Sequence, residues 1–344
     1  MNLYLTADKI GIPTGGGAVT FHESEALRTL GACEVYGRDE LYAVVSTVPD
    51  PWKADSNACA KLDFLPTLCH AYAGTFTDTF HRLKDAGSKL SYTAAAHNIN
   101  VSRREHEALG LPFDYPHLNH PELWKRYVGG YLAADLVICP STYSKRIMEG
   151  YGCKNVTVIP HGCELPETIA PMPKRFTVGY LGAYGADKGV KYLLAAWKKL
   201  NYTDATLLLA GRDSTSDFVR KLIETYGGGN IRIMGWVKDV ADFYGQISFL
   251  CQASASEGFG IEVLEAMSHG RMVICSDGAG AADLVNGMNG VRVKAGDVDG
   301  IAAVIESYRL HNYKVGGEWC LSTAAEHIWE KIRQRYVDAW KELL

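Results

Sequence analysis

Three carboxylates stand close together late in the chain, in the stretch Ser256 to Asp283, S-E-G-F-G-I-E-V-L-E-A-M-S-H-G-R-M-V-I-C-S-D-G-A-G-A-A-D. They are Glu257, Glu262 and Glu265. Glu265 follows Glu257 by eight positions and has Ile261, Leu264, Ala266 and Met267 around it. A carboxylate among apolar neighbours loses hydration unless something donates hydrogen bonds to it. The two hydroxyls of a ribose are suitable donors, and Glu257 would then lie nearer the reacting end of the same ligand. The competing reading is a half-exposed helical Glu265 paired with a nearby Lys or Arg, which needs no ligand.

The elements around these residues read as one supersecondary unit. Ile247 to Cys251 is an apolar run expected to form a buried parallel strand, and Glu257 to Gly260 is a loop. Ile261 to His269 is expected as a helix closed by Gly270, Met272 to Cys275 as a second strand, and Gly278 to Gly280 as a turn. Strand, glycine-rich loop, helix and strand together offer backbone N–H groups and a positive helix end to a phosphate. Upstream, the expected strand Phe176 to Leu181 runs into G-A-Y-G-A-D-K-G, which ends at Gly189 and carries Lys188, before a helix from Val190 to Leu200.

E-G-F-G-I-E-V-L-E-A-M together with the upstream V-G-Y-L-G-A-Y-G-A-D-K-G resembles the retaining glycosyltransferases of family 4. The resemblance covers most of the chain. It implies the GT-B architecture, two Rossmann-like α/β domains facing across a cleft. In that family the first Glu of E-x7-E, here Glu257, lies by the transferred sugar, and the second, here Glu265, binds the ribose. The resemblance further implies Lys188 on the diphosphate, with the backbone at Trp236-Val237 meeting the nucleobase and Gly258, Phe259 and Gly260 lining the donor. Val156 to Gly162 matches the family's V-I-P-N-G element, with His161 where Asn is usual. One departure stands out. The family commonly has an Arg directly after the glycine that opens the Lys188 loop, and this chain has Ala183, so Arg212 or Arg271 is left as a candidate replacement.

Two further candidates lie in the N-terminal half. Gly15 to Gly17, between an expected strand Leu3 to Leu5 and a helix from Val19 to Leu30, permits close approach of a ligand to the backbone. A plain flexible turn explains the glycines equally well. The resemblance implies that Gly16 and Gly17 lie close to the donor phosphates and the acceptor. His97 ends the expected strand Leu90 to Ala96, where ligands bind in open α/β sheets. By position alone it is as well explained as a histidine bonded to its own loop, but the resemblance implies contact with the transferred sugar.

With 344 residues the chain has room for two domains. They are expected at 1–165, joined by a C-terminal helix 325–344 that crosses back, and at 172–324, with a proline-rich linker from Glu164 to Lys174. A net charge of −4 argues against a nucleic-acid partner held by phosphate neutralisation. No apolar run is long enough for a transmembrane helix, and the N-terminus lacks a basic leader. The nine cysteines are scattered without a C-x-x-C pair, which suggests a reducing compartment. A cytoplasmic location follows, with peripheral membrane association compatible but not indicated. His117 and His120 lack other ligands nearby, and no acidic pair such as D-x-D ends a strand, so neither metal nor cofactor is expected.

The expected function is a retaining glycosyltransferase moving a sugar from a nucleotide-diphosphate sugar to a glycan, lipid or small-molecule hydroxyl, with His97, Glu257 and Lys188 as its catalytic residues. Two rivals remain. A nicotinamide-dependent dehydrogenase would suit two Rossmann-like halves, although no G-x-G-x-x-G follows the first strand. A non-catalytic sugar-nucleotide-binding protein would keep the same pocket. Specificity for base, sugar and acceptor is expected in the loops 54–63 and 101–121.

Overall fold

The computed structural model describes residues 1–6, 15–36, 58, 62–72, 76–96, 98–113, 121–311 and 316–344. They divide into two compact units. One comprises Met1–Ala96, Asp114–Gly162 and Trp329–Leu344, and the other His97–Phe113 and Cys163–Ile328.

The first unit is built on a six-stranded sheet. Its elements open with β1 (Asn2–Thr6), α1 (Gly15–Arg28), β2 (Cys33–Tyr36), β3 (Leu68–Tyr72), α2 (Thr77–Asp85) and β4 (Lys89–Thr93). Helix α3 (Ile99–Ala108) follows in the chain but belongs to the second unit. The first unit resumes with α4 (Pro121–Ala133), β5 (Leu136–Cys139), α5 (Thr142–Gly150) and β6 (Val156–Val158). The strands pair in parallel in the order β2-β1-β3-β4-β5-β6. Covered on both faces, they are near-continuous apolar runs, and Leu3, Leu5, Cys69, Ala71, Leu90 and Ile138 are wholly buried. Ser141 caps α5, as its hydroxyl accepts from the Ser144 N–H at 3.0 Å.

The second unit repeats the theme. After β7 (Thr177–Leu181) come α6 (Val190–Leu200), β8 (Thr206–Ala210), α7 (Asp217–Tyr226), β9 (Ile231–Gly235), α8 (Val240–Tyr244) and β10 (Phe249–Gln252). There follow α9 (Ile261–Ser268), β11 (Met272–Ser276), β12 (Gly290–Val293), α10 (Val298–Leu310) and α11 (Gly317–Ala325). All neighbours pair in parallel, in the order β12-β11-β10-β7-β8-β9. Numbered within the unit this is 3-2-1-4-5-6 read from β9, the doubly wound arrangement. Its core runs from Trp197 on α6 through Leu207 to Leu209 and Phe249 to Val263 and Leu264 on α9. Residues 98–113, expected with the first domain, pack with this unit instead.

The last helix, α12 (Trp329–Leu343), packs in the first unit. Trp340 is fully buried, and its indole N–H donates to Ser91 Oγ on β4 at 2.8 Å. Ser91 also lies 2.6 Å from His70 Nδ1 on β3. Deeper in, Tyr4 on β1 donates to Glu23 Oε2 on α1 at 2.6 Å. Burial opposes the charge on Glu23, but hydrogen bonds from His70, Tyr4 and Thr93 outweigh it and hold the carboxyl below its ordinary pKa. The buried face of α12 thus ends in a polar network that fixes the helix as well as burying it. Trp340→Ala should cost about 3–5 kcal/mol, the scale of an aromatic side chain removed from a core. Urea denaturation measures it, and a cost below about 1 kcal/mol would show that α12 is only loosely held.

Candidate active site

The order of the second sheet fixes where a ligand can enter. The crossover from β7 leads to β8 on one side, while that from β10 leads to β11 on the other. The chain therefore continues to opposite sides after the two strands, and this switch point is where doubly wound sheets take ligands. Residues 182–189 leave β7, and residues 253–260 leave β10.

The two loops are locked together by backbone bonds. Asp187 O accepts from the N–H groups of Ala255 at 2.7 Å and Ser256 at 3.3 Å. Glu257 N donates to Gly278 O at 2.8 Å, and Glu257 O accepts from Gly280 N at 3.0 Å, so the glycine turn after β11 supports the loop from its other side. Gly189 ends the 3-10 turn Ala186–Lys188 with φ +71°. A Cβ there would stand 1.9 Å from Ala253 O, so only glycine lets the loops approach this closely.

Helix α3 braces the same place. Asn98 N donates to Ser256 Oγ at 2.6 Å, and Ser102 Oγ donates to Asp187 Oδ2 at 2.9 Å. Glu105 meets Lys191 Nζ at 2.8 Å, and the Tyr192 hydroxyl donates to the same carboxylate at 2.8 Å. Sequence reasoning missed all of these partners, because nothing in an amphipathic helix tells which distant loop its polar face will meet.

Within this frame Lys188 Nζ donates to Glu257 Oε2, and both side chains are part-buried. Burial opposes the lysine's charge, but the Glu257 carboxylate more than offsets it and raises the Lys188 pKa above its ordinary value. The ammonium is therefore permanent through the neutral range. On α9, the Tyr244 hydroxyl lies 3.1 Å from Glu265 Oε2 and 3.1 Å from Glu262 O. Burial pushes the Glu265 carboxyl up, and the hydrogen bond from Tyr244 pulls it partly back. His269 Nδ1 sits 2.8 Å from Glu265 O, and its ring lies 4.7 Å from that of Tyr244. Glu262, between the two outer carboxylates in sequence, accepts from Gln252 Nε2 at the end of β10. Gln252 had one signal in the sequence, a polar side chain closing an otherwise apolar strand.

The expected site residues fall out unevenly. Lys188, Glu257, Gly258, Phe259, Gly260 and Glu265 gather on the two loops and α9, with Phe259 buried and Gly260 at φ +94° immediately before the helix. Trp236 and Val237 follow β9, the edge strand, two strands away from β7; Trp236 is 61% exposed and Val237 is buried. Gly16 and Gly17 lie in the first turn of α1, in the first unit, inside the helix and not in a turn before it. His97, His117 and His120 lie outside the described residues.

Of the two arginines considered as a second cation, Arg271 is otherwise engaged. It is 2% exposed and donates to Tyr244 O and Ala170 O, each at 2.8 Å, tying the segment before β7 to α8. Arg212 is open to solvent and follows Gly211, whose own Cβ, if present, would stand 2.0 Å from Gly182 O. It therefore emerges next to Ala183.

Two parallel α/β units, the second with a cation–carboxylate pair at its switch point, make a protein of the GT-B architecture. Over nearly its whole length the chain superposes on sucrose-phosphate synthase from Thermosynechococcus elongatus, with a TM-score of 0.79 and 17% identity, covering 100% of this chain and 99% of that one. It is similar in fold also to HepE of Anabaena, solved in complex with UDP and glucose, with a TM-score of 0.70, 19% identity, and coverage of 99% and 100%. Residues 175–309, the body of the second unit, match the model of the family described as Glycosyl transferases group 1. Among characterised relatives, the lipopolysaccharide core biosynthesis mannosyltransferase LpcC of Rhizobium leguminosarum bv. viciae is 30% identical over 172 residues, 44% of this chain and 49% of that one. The chain thus spans about half the length of that relative.

Gly189→Ala should destabilise the second unit by about 3 kcal/mol or more, from backbone strain and collision with Ala253. A urea midpoint equal to that of the native protein would show that the two loops can part without loss.

Proposed function

We propose that the protein is a retaining, metal-independent glycosyltransferase that moves a sugar from a nucleotide-diphosphate sugar to an acceptor hydroxyl. The observation that carries this reading is the meeting of Lys188 and Glu257 at the switch point of a unit from the Glycosyl transferases group 1 family. As the bond from the anomeric carbon to the donor phosphate breaks, negative charge collects on the diphosphate. Lys188, desolvated and held in one place by Glu257, stabilises that charge without reorganising. Arg212 supplies a second cation where the family's motif has Arg and this chain has Ala183. Glu265 takes the ribose hydroxyls, and the backbone at Trp236 and Val237 meets the base.

Retention follows from front-face attack. The acceptor oxygen bonds to the anomeric carbon on the face the diphosphate leaves, and the acceptor's proton passes to a phosphate oxygen. Glu257 and His97 position the sugar and offset its positive charge. The first unit, with Gly16 and Gly17, binds the acceptor, a glycan, lipid or small-molecule hydroxyl. HepE, with its UDP and glucose, favours a uridine donor, and the relative named as a mannosyltransferase favours a hexose. Among the described residues no three of His, Cys, Asp or Glu gather as metal ligands. Among the described residues no helix is long and apolar enough to cross a membrane.

Melting the protein with UDP, GDP and ADP should raise Tm for one of them by mass action, and no response to any would remove the donor site. Sugar transfer should persist in EDTA; loss restored by magnesium or manganese would replace the lysine mechanism with a metal one. Lys188→Ala should lower kcat by on the order of 10²-fold while changing nucleotide affinity less. A rise in donor KM at constant kcat would make Lys188 a simple binding residue.

A further inference from the structure

Glu262 has no task in the reading above, yet its carboxyl stands in the middle of the site. It lies in the first turn of α9, with Oε1 held by the Gln252 amide. That oxygen is 3.8 Å from the place a Cβ would occupy on Gly182 and equally 3.8 Å from that on Gly260. The carboxyl is thus wedged between the turns that leave β7 and β10, where a diphosphate would lie. Facing it are Glu257 from the preceding loop, Lys188 from the 3-10 turn and Glu265 from its own helix. Tyr180 on β7, Tyr244 on α8 and Cys275 on β11 also lie within its field.

The charges do not balance for an anion. Lys188 stands among three carboxylates, so even with its ammonium turned to the ligand a diphosphate entering here would meet the Glu262 carboxylate in a partly desolvated place. Like charges brought together under such conditions are relieved by protonation of the least solvated one. We propose that Glu262 is a further contact of the donor diphosphate and meets it as a neutral acid, taking a proton from solvent on Oε2 and donating it in a hydrogen bond to a phosphate oxygen. Oε1 keeps Gln252 throughout, which fixes the carboxyl's orientation. The proposal rests on the donor site described under the proposed function.

The ligand-free protein is already poised for this step. Burial, and then the charge of Glu257, raise the Glu262 pKa to about 8, against the pull of Lys188. The direction of the linkage follows. Well below pH 8 the acid already carries its proton, and binding takes up little. Above pH 8 the free protein has lost the proton and must regain it, so uptake approaches one and affinity falls as pH rises, by up to about tenfold per unit.

The test is calorimetry of UDP, GDP and ADP at pH 7.0 and 8.5, in buffers of low and high ionisation enthalpy, on the native protein and on Glu262→Gln. The amide of Gln can donate as the neutral acid does. At pH 8.5 the native protein should take up roughly three-quarters of a proton more than the variant on binding the preferred nucleotide. Its affinity should fall about fourfold from pH 7.0 to 8.5 relative to the variant, which corrects for the nucleotide's own titration. Equal uptake in the two proteins overturns the proposal and leaves the donor site standing. So does uptake that survives in Glu262→Gln and vanishes in Glu257→Gln. Loss of binding in a Glu262→Gln protein that melts like the native one also overturns it, because the donor would not be enough. Failure of all three nucleotides to bind the native protein brings down the donor site, and this proposal with it.

Discussion

Everything in the candidate site depends on two strands lying side by side while their crossovers diverge. β7 and β10 are neighbours in the sheet although 67 residues, holding β8 and β9, lie between Leu181 and Phe249 in sequence. Crossovers that lead to opposite sides of this strand pair leave the two outgoing loops side by side, with the turn after β11 and α3 bracing them. The backbone bonds from Ala255 and Ser256 to Asp187 O then set the spacing, and Gly189 permits it. Lys188 and Glu257 meet because the strand order makes them meet. A different winding of the same elements would leave one ammonium and one carboxylate on separate edges.

Around that pair the protein has placed more negative than positive charge. Glu257, Glu262 and Glu265 crowd one loop and one helix, and a single lysine enters among them. Each carboxylate is managed by a different device. Glu257 has the ammonium, Glu262 has an amide and a raised pKa, and Glu265 has a phenol hydroxyl. Three carboxylates within nine residues are thus given three different partners, an ammonium, an amide and a phenol hydroxyl.

Much of this was legible beforehand, for reasons that can be named. α6 begins and ends where the sequence placed it, at Val190 and Leu200, since its apolar stripe is regular and Gly189 stands before it. The buried strands read as apolar runs because parallel sheets are covered on both faces. α11 was missed: it begins at a glycine, G-E-W-C-L-S-T-A-A, and its small residues pack against α9 without a strong stripe. The pairing of Lys188 with Glu257 could be anticipated only through family resemblance, because it is a product of topology. Tyr244 with Glu265 and Gln252 with Glu262 could not be anticipated at all, since both depend on how α8 and the end of β10 are rotated. Arg271 misled by its type. An arginine near a phosphate motif invites a phosphate role, yet here the guanidinium satisfies carbonyls of a segment about a hundred positions earlier.

The position of α12 has a consequence for how the chain is made. The first unit needs Tyr336 and Trp340 to cover the polar cluster of His70, Ser91 and Glu23, but the ribosome delivers them only after the whole second unit. At ordinary elongation rates the interval is roughly ten to thirty seconds. Throughout it the nascent sheet holds a carboxylate, an imidazole and a hydroxyl that have no cover, next to apolar strands. The second unit, continuous from Cys163 to Ile328 apart from the α3 segment that precedes it, has every one of its parts by then. Assembly on the ribosome therefore runs against the order of the sequence, with the later half complete first and the earlier half waiting for its lid.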